Sequence, residues 1–467
     1  MVERILGIPL DFKYDLMQIG VIKKILKHRA FQYALIVPNL FFFVIIILSA
    51  FFGTPSGAKN FSVIFVWIIW WFFLITILLP FGSRIWCTMC PIPAPAEWLQ
   101  RKAFIIKKEG KPFGLNKKWP KRLRNIWLCN FGFLAIAVFS AILTTTPVVT
   151  GIMLLGLIII AIILHIIYEK RSFCRYVCPV GGFLGLYSMF SSLELRVKDR
   201  EMCRKHKEKE CIKGSEKGWG CPWFEYPGTM ERNNYCGLCT QCIKTCPNDN
   251  IALNIRPFGK DLLVQKGRHL DEAWKSFIML TLAVLYVAVM QGPWGWIKDW
   301  ATISSLKEFG LYATIFMGSS LVLTPAIFFG FTWVSKFISG IKDISLKRMY
   351  IDYSYSLVPI GLAGWIGFSW PIMLINGSYA ISIISDPFGW GWNLFGTKGI
   401  QWTPVVSGFV PILQALTVIL GLAFSMDIGY KISQQIFDDK KIALRSFVPI
   451  VIFLVGVTMV LLRLYVG

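Results

Sequence analysis

The chain holds twelve cysteines, and eleven of them stand in patterns that could bind metal. Cys87-Thr-Met-Cys90-Pro91 and Cys174-Arg-Tyr-Val-Cys178-Pro179 each close a long apolar run. Four thiolates meeting from two such runs are what a cubane iron–sulfur cluster needs. Further on, Cys236, Cys239, Cys242 and Cys246-Pro247 repeat the spacing of a bacterial ferredoxin. In that pattern three thiolates wrap one cubane, and in two-cluster proteins the fourth serves the neighbour. Cys203, Cys211 and Cys221-Pro222 precede it like a stretched first half that is one ligand short.

His206 could supply the missing ligand. The spacing then leaves two divisions open. In one, Cys203, His206, Cys211 and Cys221 form a set, and the run Cys236 to Cys246 forms another. In the other the ligands cross: Cys221 joins Cys236, Cys239 and Cys242, while Cys246 joins Cys203, Cys211 and His206. Either gives two or three [4Fe–4S] clusters for the chain; a zinc ion in the first set is the rival. Cys129 has no partner in sequence and is expected to be a packing residue.

The elements that position these thiols are membrane helices. Hydrophobic residues make up 55% of the 467 and charged residues 16%, a balance that fits an integral membrane protein. Nine apolar stretches are long enough to cross a bilayer: 31–53, 61–81, 125–146, 148–168, 274–294, 309–331, 353–375, 405–426 and 446–464. The predicted fold is an all-α polytopic membrane protein with an inserted ferredoxin-like α+β module. Its parts are an N-terminal segment 1–30, a four-helix domain 31–195, the module 196–272 and a five-helix domain 273–467. Pro91–Lys108 and Gly181–Leu195 read as amphipathic stretches lying in the headgroup plane over the first cluster.

The net charge of +23 follows the loops. Segments before spans 1, 3, 5, 7 and 9 carry 6, 11, 18, 4 and 4 Lys and Arg; the alternate loops carry 1, 0, 2 and 1. That asymmetry places the N-terminus and all the patterned cysteines in the cytoplasm and the C-terminus outside, across the inner membrane. Anionic lipid accounts for the basic loops, and no nucleic-acid partner is expected. The first residues show no cleavable signal pattern.

What is missing narrows the chemistry. There is no CxxCH motif for covalent haem, and only His165 lies within a span, too few histidines to ligate a b-type haem. No dinucleotide fingerprint or phosphate loop appears. Electrons are therefore expected to enter and leave through clusters, a quinone or another redox protein. His165, nine residues before Cys174, would sit about 14 Å from the cluster on a continuous helix and is the quinone candidate.

The pairing of Cys87, Cys90, Cys174 and Cys178-Pro-Val-Gly-Gly with the run Cys236 to Pro247 resembles the membrane polyferredoxins that accompany periplasmic nitrate and nitrous-oxide reductases. The resemblance covers about 61–254 and implies cluster-borne electron transfer with quinol or membrane partners. It departs at the CxxC of the first pair, the degenerate first ferredoxin half and the five extra spans. The leading expectation is an electron-transfer subunit of a quinone-linked oxidoreductase. A second is an assembly factor that reduces a metal or thiol on a client enzyme. A third, a redox-driven transport module in spans 5 to 9, is disfavoured by the scarcity of charge there.

Overall fold

The computed structural model describes residues 4–105, 110–292 and 294–467. Among the described residues, eight helices are long and apolar enough to cross a membrane: α1 (Phe31–Phe52), α2 (Phe61–Gly82), α4 (Pro147–Ile167), α5 (Leu270–Met290), α6 (Leu306–Ser339), α7 (Leu346–Asn376), α8 (Ser407–Ile436) and α9 (Lys440–Val466). Between α2 and α4 lies the shorter apolar helix α3 (Trp127–Val138). It breaks at Phe139 and resumes as Ser140–Thr145, so the third expected span is two helical pieces. The tight turn at Thr146-Pro147 starts α4 with Pro at its first position, where a missing N–H costs nothing.

The later helices run beyond the expected spans. Their ends carry polar and charged residues that a hydropathy window rejects but a helix end tolerates: α6 continues to Ser339, and α8 to Ile436. Helix α2 is irregular, with π-helical segments Ile64–Trp70 and Leu74–Leu78. Such widened turns cost regular hydrogen bonding and mark places where a helix bulges toward something.

The hydrophilic insert builds a small sheet, in which Leu193–Val197 pairs antiparallel with Ile251–Ile255. The N-terminal segment is not separate from it. Tyr14–Asp15 adds a third strand against Asn254 and Ile255. Lys27 also pairs with Asp249 at 2.7 Å. Asp261 and Glu194 hold Arg256 beneath this sheet, all three side chains buried.

One of the two expectations about the flanking stretches changes. Within Pro91–Lys108 a helix forms over Ala94–Arg101. Gly181–Leu195 is not an exposed amphipathic stretch, because Pro179–Ser188 is a helix with every residue from Gly181 to Ser188 buried in the protein. Three glycines within it let neighbours approach: a Cβ at Gly182 would sit 2.6 Å from that of Cys129, and one at Gly185 2.8 Å from the Asn234 carbonyl. On the opposite side of the molecule, the loop after α7 is closed by Asp386, which accepts from the Trp390 and Gly391 amides, both at 2.9 Å.

Candidate iron–sulfur sites

The four thiols of the first two motifs come together. Cys87, Cys90, Cys174 and Cys178 line one cavity of about 380 Å³ at the ends of α2 and α4. Local chemistry explains their placement. Cys87 lies on the short helix Trp86–Met89 that follows α2, and Cys174 on Ser172–Tyr176, which follows α4. Cys178 caps the helix Pro179–Ser188, its sulfur accepting the Gly181 amide at 3.3 Å. The first-turn dipole and this N–H both favour negative charge on that sulfur.

The remaining cysteines divide in the crossed manner. Cys221 is held near Cys236 and Cys239, and Cys242 near all three. The loop that wraps them puts Leu238 and Thr240 in the left-handed region, a cost accepted to turn successive side chains around one point. Cys203, Cys211 and Cys246 meet at a separate pocket, and His206 lines it with them. Asn250 fastens this third set: its side-chain amide donates to Cys203 Sγ at 3.2 Å and its backbone N–H to Cys246 Sγ at 3.4 Å.

The chemistry of these donor sets fits iron–sulfur clusters. Burial first, and then the neighbouring thiols, push the Cys90 thiol up, and burial likewise raises Cys221 to about 12 and Cys211 to about 11. Thiols so crowded do not ionise together unless positive charge arrives between them, as it does with bound iron. Among the described residues, no three His, Cys, Asp or Glu side chains are gathered tightly enough for a single metal ion. A zinc would need its sulfurs about 2.3 Å from one centre. A cubane places each thiolate on a different iron and asks for a more open set.

Two buried arginines provide the counter-charge. Arg84, 1% exposed, makes no hydrogen bond to a carboxylate; it donates to the Asn234 carbonyl at 2.6 Å and lies 3.7 Å from Cys87 Sγ. Burial works against its charge, yet Cys87, Cys178 and Cys174 outweigh it and hold its pKa above the ordinary value. Arg171 is bidentate on Glu97, at 3.0 and 2.6 Å, and donates to the Cys87 carbonyl at 2.7 Å. A buried cation left without a carboxylate is costly unless an anion faces it, and at Arg84 the available anion is the thiolate set.

The three sets stand in series. Thr88, beside Cys87, donates its hydroxyl to the Gly237 carbonyl at 2.5 Å, inside the loop of the second set. Trp223 lines the cavity of the first set, and a Cβ on Gly237 would collide with its ring. The arginines bracket this indole, with Arg84 4.7 Å and Arg171 5.7 Å from its centre. The Cys221 amide then donates to the Cys211 carbonyl at 2.8 Å, joining the second set to the third. Sequence reasoning overlooked Thr88, Trp223, Arg84 and Arg171. Only the closeness of Arg84 and Arg171 to the cysteine motifs hinted at them.

Other expected residues fall elsewhere. His165 is buried, donates from Nδ1 to the Ala161 carbonyl at 2.7 Å, and lines neither this cavity nor the third-set pocket. It is not on one helix with Cys174: α4 ends at Ile167, and Lys170 turns the chain in the left-handed region before Ser172–Tyr176. The axial distance expected for a continuous helix therefore does not apply. Cys129 is fully buried on α3, with Sγ 3.9 Å from the Arg175 carbonyl, and belongs to none of the three sets.

A family model described as a 4Fe-4S binding domain matches residues 63–112 and 148–198. Both stretches are similar to an iron–sulfur binding domain. Each match contains one apolar helix and the cysteine pair that follows it, so the first thiol set is assembled from two copies of one unit. The chain is also similar to the methylamine utilization ferredoxin-type protein MauN of Paracoccus denitrificans (strain Pd 1222), 27% identical over 173 residues. That match covers 34% of this chain and spans about half, 56%, of the relative's length. No solved structure matches. Iron–sulfur electron transfer in a chain with several membrane-type helices is thus supported from both the sequence family and the helices.

Proposed function

We propose that this chain conducts electrons between the membrane quinone pool and a second redox protein through three [4Fe–4S] clusters. Cys87, Cys90, Cys174 and Cys178 hold the first; Cys221, Cys236, Cys239 and Cys242 the second; Cys203, Cys211, Cys246 and His206 the third. The observation that carries this is the series arrangement of three donor sets, linked by Thr88–Gly237 and Cys221–Cys211 hydrogen bonds. A bound cluster supplies one-electron transfer. The chain's own part is to keep water from the first set, to balance its charge with Arg84 and Arg171, and to present the third set at the surface, where Cys203, Cys211 and Cys246 are all partly exposed.

The membrane arrangement proposed with it has nine crossings. The first thiol set draws from the C-terminal ends of both α2 and α4, so the chain must cross between them, and α3 with Ser140–Thr145 is the segment that does. The excess of Lys and Arg on the thiol side makes that side cytoplasmic in an inner membrane, with the C-terminus outside. The insert acts as a ferredoxin-like module, and its partner is a redox protein of the kind that membrane polyferredoxins serve.

The test is electron paramagnetic resonance with redox titration of the purified chain. Cys174→Ser removes the signal of the first cluster and leaves those of the other two. Spectra unchanged by Cys174→Ser would refute the assignment.

A further inference from the structure

The apolar space beside the first thiol set does not end there. A second cavity of about 260 Å³ adjoins it, sharing Val66, Trp70, Ile92, Leu154 and Val180 as common wall. Its lining runs from Pro179 and Val180, at the thiol end, to Thr144 and Asn376, at the far ends of the third segment and α7. The irregular stretch of α2 forms one wall, for Val66, Trp67 and Trp70 all lie in its π-helical segment.

Two donors in this wall have no acceptor among the described residues. The indole N–H of Trp70 and that of Trp71, a residue 8% exposed, are buried without a hydrogen-bond partner. Nearby tryptophans are satisfied: Trp67 donates to Thr150 Oγ1 at 2.9 Å and Trp365 to the Met279 carbonyl at 2.9 Å. A buried N–H without an acceptor costs about as much as a lost hydrogen bond, and a lipid acyl chain filling the space could not relieve it. A planar ring bearing carbonyl oxygens could, and aromatic walls suit it: Trp67, Trp70, Trp71, Phe133 and Tyr286 all line the second cavity.

We infer that this paired cavity is the binding site for the head group of a membrane quinone, with Trp70 and Trp71 donating to its carbonyl oxygens and the space toward Phe43 and Phe65 taking its apolar tail. Trp70 lines the same cavity as Cys90, so a head group there sits beside the first thiol set. This site replaces His165, whose ring lines neither cavity. The inference rests on the proposed electron-transfer reading for the identity of the ligand.

The experiment titrates the full-length, detergent-solubilised protein with a short-chain benzoquinone and a short-chain naphthoquinone, reading tryptophan fluorescence quenching and calorimetric heat. Trp70→Phe and Trp71→Phe keep the rings and remove the N–H groups; each is expected to weaken binding about fivefold, the loss of one hydrogen bond. Leu154→Trp, which fills the wall shared by both cavities, is expected to abolish binding while the cluster spectra persist. Wild-type protein with intact clusters that binds neither quinone, or Phe variants that bind as tightly as wild type, would overturn the site. Quinone binding to a protein that holds no clusters would instead keep the site and refute the electron-transfer reading.

Discussion

The first and third thiol sets use the same residue type in opposite surroundings. The first sits at the ends of two apolar helices with Cys87 and Cys174 buried and Cys90 and Cys178 partly exposed, is faced by two buried guanidinium groups, and is made of cysteine alone. The third lies at the edge of the insert among partly exposed residues, is fastened by one asparagine, and shares its pocket with His206. Burial with a fixed cation makes a site whose charge is balanced internally and whose potential is set by the protein. Exposure makes one tuned by solvent and by whatever docks on it. Under the proposed function, the first set exchanges electrons with a membrane molecule and the third with a protein.

The largest effect separating them is expected at Cys174 and Cys246. Cys174→Ser removes about four iron atoms per chain, one cubane, and leaves the outer signals; Cys246→Ser does the reverse. Loss of all iron from either variant would mean the sets fold as one unit. Next comes Glu97→Gln, which leaves Arg171 buried without its counter-charge and costs about 3–5 kcal/mol of stability, measurable by thermal unfolding.

The same ion pair predicts a pH dependence at the first set. Burial pushes the Glu97 carboxyl up, but Arg101 and Arg171 outweigh it and hold it down to about 2, from an ordinary 4.5. A carboxyl whose pKa is depressed on folding stabilises fully above its unfolded value, and that contribution is lost as pH falls from about 4.5 to about 2. Wild type should therefore lose stability across that interval more steeply than Glu97→Gln does.

Smaller effects sharpen the contrast. Thr88→Val breaks the hydrogen bond from the first set to the Gly237 carbonyl, at about 1 kcal/mol; it should slow reduction of the second set from the first without changing the iron content. His206→Ala should alter only the outermost signal, and His206→Cys should restore it in changed form. If His206→Ala leaves every spectrum untouched, the third set is completed by another ligand.

The pattern of cysteines was readable because ligand spacing is local, and eleven were marked from sequence alone. Their division was not. Whether Cys246 turns back toward Cys203 depends on Asn250 bonding both sulfurs, and no spacing rule foresees a side chain that reaches across the insert. The membrane helices were legible from hydropathy, but the break at Phe139 was not, since Phe-Ser-Ala-Ile-Leu reads as unbroken apolar chain. Three small residues in Pro179–Ser188 disguised a buried helix as an interfacial one. The strand Tyr14–Asp15 is two residues long, below any periodicity, and its place was set by tertiary pairing with Ile251–Ile255. His165 was misplaced because Lys170, a non-glycine residue, ends the continuity of α4 toward Cys174 in a left-handed turn.

Iron and acid-labile sulfide per chain test the central claim most directly. Three cubanes require about twelve of each, four per cluster. A protein prepared without air that holds iron but no sulfide, or zinc in place of both, would contradict the account.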